Sequence, residues 1–127
     1  MRLYVADDNE EFSQFVSRVA KSDGWAVTTC ANGAMLAAAV ASEDGPALMI
    51  VDINMPEVDG IQVIEELKSI NRRLRIRFIT GGSHSSALAA RMIAEARGLE
   101  SGRFITKPVG IDKLKAILRE EAVHLFE

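Results

Sequence analysis

The chain has 127 residues, with 48% apolar and 26% charged side chains, ordinary values for one globular domain. A chain this long buries roughly two thirds of its unfolded surface and needs no disulfide or structural metal to fold. The net charge of −3 speaks against nucleic acid or an anionic membrane as a direct partner. The single cysteine, Cys30, cannot form an internal disulfide, and it reads as a small buried hydrophobe at a strand end. Asp7 and Asp8 interrupt the N-terminal apolar run before it could serve as a secretory signal, and no apolar stretch is long enough to cross a bilayer. A cytoplasmic protein is the expectation.

Short apolar runs alternate with longer segments of helical spacing. The first run, Leu3–Ala6, precedes a helix marked by Phe12, Phe15, Val16 and Val19, which Gly24 closes. Ala26–Thr29 leads into an alanine-rich helix, Ala34–Ser42, and Gly45-Pro46 separates that helix from the wholly apolar run Leu48–Val51. Asp59-Gly60 precedes a third helix (Ile61, Val63, Ile64, Leu67, Ile70), where the aspartate is placed to cap exposed N–H groups. Arg77–Thr80 is the fourth strand. A fourth helix follows, its core stripe marked by Leu88, Met92, Ala96 and Leu99, with Gly98 as its stop. Phe104–Thr106 is the fifth strand, and Ile111, Leu114, Leu118 and Leu125 mark the fifth helix. Five strands alternating with five helices predict a doubly wound α/β fold around a parallel sheet, because parallel strands need crossover helices. The third strand, apolar throughout, belongs at its buried centre. Residues 1–127 form one domain in this reading.

In open α/β sheets the working site lies beyond the C-terminal ends of the strands. Asp7 and Asp8 follow the first strand, Asp52, Asn54 and Pro56 the third, Thr80 and Gly81-Gly82 the fourth, and Lys107-Pro108 the fifth. The second strand offers only Thr28 and Thr29. Taken singly, these residues have plainer explanations: a helix cap for Asp7 and Asp8, a turn for the Asp52 segment, a β-former at Thr80. Together they place three carboxylates, a hydroxyl and an ammonium on one sheet edge. Crowded carboxylates raise each other's pKa, and Mg2+ relieves that repulsion while keeping positions for water and a phosphoryl oxygen. A carboxylate can attack phosphorus, the ammonium can hold a second phosphoryl oxygen, and the hydroxyl a third.

These motifs resemble the response-regulator receiver family over essentially the whole chain. Val5-Ala6-Asp7-Asp8-Asn9 looks like its acidic pair, Val51-Asp52-Ile53-Asn54-Met55-Pro56 through Asp59-Gly60 like its phosphoacceptor segment, Ile79-Thr80-Gly81 like its hydroxyl strand end, and Phe104-Ile105-Thr106-Lys107-Pro108 like its lysine and cis-proline segment. The resemblance implies a flavodoxin-like sheet of strand order 2-1-3-4-5. It implies phosphorylation on Asp52 and a metal site of Asp8, Asp52, Asp7 (partly through water) and the backbone carbonyl of Asn54, filled by Mg2+ or by Mn2+ in its place. It makes Lys107 and Thr80 the groups that contact the phosphoryl, Thr80 and Phe104 the switch pair, and the bond before Pro108 cis. The implied partners are a histidine kinase or phosphotransfer protein, an output domain or downstream protein, and a second copy through the face of the fourth helix, fifth strand and fifth helix.

Two departures from the family pattern bear on the switch. Phe104 stands where tyrosine is more frequent and has no hydroxyl to favour solvent, so its inward rotamer is favoured even without phosphate. The stretch from Thr80 to Phe104 is longer than in simple members and resembles receivers fused to cyclic-dinucleotide phosphodiesterase domains. A Mg2+-dependent phosphohydrolase would also use a strand-end aspartate, but it usually carries an acid–base aspartate where Asn54 stands. A phosphorylation-independent interaction module is the other alternative. His84 reads as a solvated loop residue rather than a phosphate or metal contact, and His124 as a surface residue. Trp25 reads as packing at a helix–strand junction. Arg72, Arg73, Arg75 and Arg77 read as a solvated loop and strand edge.

Overall fold

The computed structural model describes residues 1–54, 60–82 and 84–126, with Gly60 and Ile61 in backbone only. The expected cap at Asp59 and the residues Pro56 and Ser83 therefore lie outside the described residues. The elements are β1 (Arg2–Ala6), α1 (Glu10–Ser22), β2 (Ala26–Cys30), α2 (Gly33–Ala41), β3 (Ala47–Asp52), α3 (Gly60–Leu67), β4 (Leu74–Thr80), α4 (His84–Ala96), β5 (Glu100–Ser101), β6 (Ile105–Thr106) and α5 (Ile111–Phe126). All strands pair in parallel in the order β2-β1-β3-β4-β5, with β6 also against β4. β3 sits at the centre and is buried along its whole length.

Side-chain alternation along the strands splits the core in two. Met49, Val51, Ile76 and Phe78 face α2, α3 and α4, whereas Leu48, Ile50 and Ile79 face α1 and α5. The α1 stripe behaves as its spacing predicts. Asn9 caps that helix, accepting a hydrogen bond from the Phe12 N–H at 3.1 Å. Gly24 and Gly98 take positive φ of 90° and 87° just past the ends of α1 and α4. Trp25 is buried, its ring edge-on to Phe126.

Three expectations need correction. The large apolar residues expected to mark the core stripe of α4 face away from it: Leu88 is 49% and Met92 64% exposed, and Ala96 is exposed. The buried face carries Ala87, Ala90 and Ala94, whose small side chains let the helix axis lie close to β4. Leu99 lies beyond that helix, just before β5.

The fifth strand is divided. β5 and β6 both pair with β4, and Gly102 to Phe104 lies between them. Arg77 crosses this gap: its Nη1 donates to the Arg103 carbonyl at 3.3 Å. A Cβ on Gly102 would stand 2.3 Å from Arg77 Nε and 2.7 Å from Glu121 Oε1, so only glycine fits there.

The arginine group is not solvated as a whole. β4 begins at Leu74, which places Arg75 and Arg77 within the strand and aims both at α5. Arg77 is 4% exposed and donates from Nε to Glu121 Oε1 at 2.7 Å, and Arg75 pairs with the other oxygen of the same carboxylate. Glu120 joins Arg77 from the rim at 3.1 Å. Arg72 donates to the Tyr4 hydroxyl (2.9 Å) and to the carbonyls of Val40 (2.9 Å), Asp44 (3.1 Å) and Gly45 (2.9 Å), tying down the chain after α2. Periodicity alone could not show these partners, since each comes from a distant element.

Burial alone would push the Glu121 carboxyl up, but hydrogen bonds and charge from Arg75 and Arg77 outweigh it and hold the folded-state pKa below the ordinary value. A depressed folded pKa contributes stability that is present above the unfolded carboxylate range and lost as pH falls through the folded value. Glu121→Gln removes the buried anion that Arg75 and Arg77 share, leaving Arg77 only the rim carboxylate of Glu120, and is expected to cost about 3 kcal/mol at neutral pH. The loss should shrink under acid, and urea denaturation as a function of pH checks both points.

Candidate functional site

The C-terminal ends of β1, β3, β4 and β6 bring the predicted residues to one edge of the sheet. Asp7 follows β1 and is 2% exposed; Asp52 ends β3 and is 6% exposed; Asp8 is open to solvent. Carboxylate oxygens of Asp7, Asp8 and Asp52 lie within 4.8 Å of one another. Lys107 reaches in from the segment after β6, its Nζ 2.8 Å from Asp7 Oδ2 and 3.4 Å from Asp52 Oδ2.

Local hydrogen bonds fix these groups. The Asn9 N–H donates to Asp7 Oδ1 at 2.8 Å, and the Asn54 N–H donates to Asp52 Oδ1 at 2.8 Å. Each is a short aspartate turn that holds its carboxylate at the strand end. Because Asn9 caps α1, Asp8 is left outside the cap hydrogen bond. The Ser13 hydroxyl donates to the Asp7 carbonyl at 3.4 Å. Thr80 is fully buried, and its hydroxyl accepts from the Gly82 N–H at 3.2 Å. The Lys107 N–H donates to the Thr80 carbonyl at 2.9 Å, and Thr80 stands in register with Thr106. The Lys107–Pro108 peptide bond is cis. Phe104 is half-buried against the α2–α3–α4 side of the core.

One neighbour corrects the sequence reading, His84, expected in a solvated loop, and another, Phe12 beside Lys107, escaped it. His84 is the first residue of α4; it lies apart from the carboxylate cluster, with its ring 5.3 Å from that of Phe104 and its Nε2 3.4 Å from Thr106 Oγ1. Phe12, assigned only to the α1 core stripe, presents its ring to Lys107, with Nζ 4.6 Å from the centroid. β2 adds no chemistry: the Thr28 hydroxyl is taken by Arg2.

Burial pushes the Asp7 carboxyl above its ordinary value, and the negative charge of Asp52 adds to that. The bonds from Lys107 and the Asn9 N–H offset part of the rise. For Lys107, burial works against the ammonium, but Asp7 and Asp52 prevail and the pKa ends above its ordinary value. The donor set suits a hard divalent ion: only oxygen ligands, clustered carboxylates, one of them exposed, and too little positive charge nearby to neutralise them.

Residues 3–119 match the family model for the response regulator receiver domain. The chain belongs to this family. It is 31% identical to the transcriptional regulatory protein TctD of Salmonella typhimurium over the whole chain, which spans 56% of TctD. Among solved structures, the beryllofluoride-activated receiver-domain dimer of NtrC4 superposes with a TM-score of 0.81 at 21% identity, covering 98% of each chain. The response regulator TrrA of Thermotoga maritima, in complex with Mg2+ and beryllofluoride, superposes with a TM-score of 0.75 at 22% identity, covering 94% of this chain and 96% of its own. These neighbours share the doubly wound fold and its strand order. Receivers are the signalling domains of two-component systems, and they bind Mg2+ at acidic pockets of this kind. Among the described residues no helix is long and apolar enough to cross a membrane.

A carboxylate whose folded pKa is raised costs stability once pH exceeds its unfolded value. In chelator-containing buffer at neutral pH, Asp7→Asn is therefore expected to be more stable than the parent. The gain should vanish as pH falls below the carboxylate range, and thermal denaturation at several pH values measures it.

Proposed function

We propose that Asp52 accepts a phosphoryl group from a histidine kinase or phosphotransfer protein. The observation that carries this reading is the Lys107 ammonium held between Asp7 and Asp52, which belong to two different strands. An oxygen of the Asp52 carboxylate attacks phosphorus, the bond from phosphorus to the donor's histidine nitrogen breaks, and the leaving imidazole takes up a proton. The product is an acyl phosphate. Asp8, Asp52, Asp7 and the Asn54 backbone carbonyl are the groups that would hold Mg2+, with Mn2+ as its substitute. The ion supplies charge neutralisation for the incoming phosphoryl group. Lys107 binds one phosphoryl oxygen and the Thr80 hydroxyl turns toward another.

Thr80 is in register with Thr106, and Phe104 stands two residues before Thr106 against His84 of α4, so movement of Thr80 reaches α4 and the divided fifth strand. This face then signals to an output domain or downstream protein, or to a second copy of the chain. The outward Leu88 and Met92 give it an apolar surface suited to burial in such contacts. The domain, spanning residues 1–127, catalyses only its own phosphorylation and dephosphorylation, acts in the cytoplasm, and touches neither nucleic acid nor membrane directly. Its lengthened β4–β6 region fits attachment to a cyclic-dinucleotide phosphodiesterase output.

Incubation with acetyl phosphate and Mg2+ is the test. One labile phosphoryl group per chain is expected, lost in Asp52→Asn and with chelator. Multiple turnovers of a stable phosphomonoester would instead indicate a hydrolase, and no uptake from acetyl phosphate would indicate a phosphorylation-independent module; either result overturns the proposal.

A further inference from the structure

Lysine is a poor candidate for precise placement, since its four-carbon stem is flexible and its ammonium strongly hydrated. Asp7 and Asp52 hold Lys107 on one side only. Left to those two anions, its charge would be largely spent before a phosphoryl oxygen arrived.

The first turn of α1 supplies a third partner. Nζ of Lys107 lies over the Phe12 ring, 4.6 Å from its centroid. An aromatic face attracts a cation through its quadrupole while carrying no formal charge. It can therefore confine the ammonium and exclude water from one side without neutralising it. The ring is itself constrained. The Phe12 N–H is bonded to Asn9 Oδ1 at 3.1 Å, and the Asn9 N–H to Asp7 Oδ1 at 2.8 Å. Asp7 thus fixes the cap that sets Phe12 and pairs with the lysine that Phe12 faces. Phe12 also packs at the edge of the α1–α5 core, 6.3 Å from the Phe15 ring, so its position does not depend on Lys107.

We propose that Phe12 is a positioning residue for the phosphoryl-binding lysine, its ring face holding the Lys107 ammonium beside Asp52 with its charge available to an incoming anion. The inference rests on Lys107 binding a phosphoryl oxygen, as proposed above. A side chain that merely filled space would serve equally well as leucine or as a fluorinated phenylalanine, whereas a cation–π contact would not.

The test uses the full chain with Phe12 as phenylalanine, as its 4-fluoro, 3,5-difluoro and 3,4,5-trifluoro analogues, and as Phe12→Leu. Fluorination drains the ring face of electron density and nearly preserves shape, so folding is retained even if the leucine variant is unstable. In metal-free buffer, the Lys107 Cε protons of the parent should be shifted upfield by the ring current, and that shift should disappear in Phe12→Leu. With Mg2+ and acetyl phosphate, the initial phosphorylation rate should fall stepwise with fluorine number, reaching about threefold to tenfold for the trifluoro analogue. An absent ring-current shift, or equal rates across the series, would overturn the role of Phe12. Failure of the parent to take up phosphoryl would instead defeat the reading of Asp52 and Lys107 itself, so the two failures are distinguishable.

Discussion

Two buried carboxylates and one ammonium, drawn from three separate segments, form the interaction on which the site depends. Asp7 and Asp52 stand at adjacent strand ends because β1 and β3 pair in parallel, and parallel pairing aligns their C-terminal ends. Two anions so placed repel each other, and burial together with the charge of Asp52 holds the Asp7 carboxyl above its ordinary value. Lys107 offsets that repulsion at 2.8 and 3.4 Å. Ionised Asp7 still costs stability, as its raised pKa indicates, and the site keeps an unmet demand for positive charge. Mg2+, which receiver domains generally bind at acidic pockets of this kind, would meet that demand.

A second set of charges does the opposite work. Arg75, Arg77 and Glu121 seat α5 on the sheet with mutual hydrogen bonds, and Gly102 makes room for them. Here the carboxylate is held ionised, its pKa lowered rather than raised. One end of the sheet keeps electrostatic strain for chemistry, while the flank under α5 spends its charges on structure. Burial is similar in both places; the ratio of cations to anions decides the sign.

The packing of α4 links site to surface. Its buried residues are three alanines, with Ile93 packed partly against the core, while Leu88 and Met92 face outward. Small contact side chains of this kind suit a helix with a second packing at modest energetic cost. His84, at the start of α4, rests against Phe104 and Thr106, and this is the short route between strand end and helix.

Much of this was legible in the residues themselves. Period-two and period-3.6 patterns named the elements, glycines marked their ends, and the strand-end rule collected Asp7, Asp8, Asp52, Thr80 and Lys107 on one edge of the sheet. Such patterns depend on neighbours close along the chain, and there the sequence is a sufficient witness. It misjudged α4, because leucine and methionine at helical spacing look the same whether they face core or solvent. It missed Phe12 on Lys107 and Glu121 between two arginines, because those partners stand far apart in sequence. Only the crossovers of the tertiary fold bring them within a few ångströms, and at that range charge and ring face begin to act on each other.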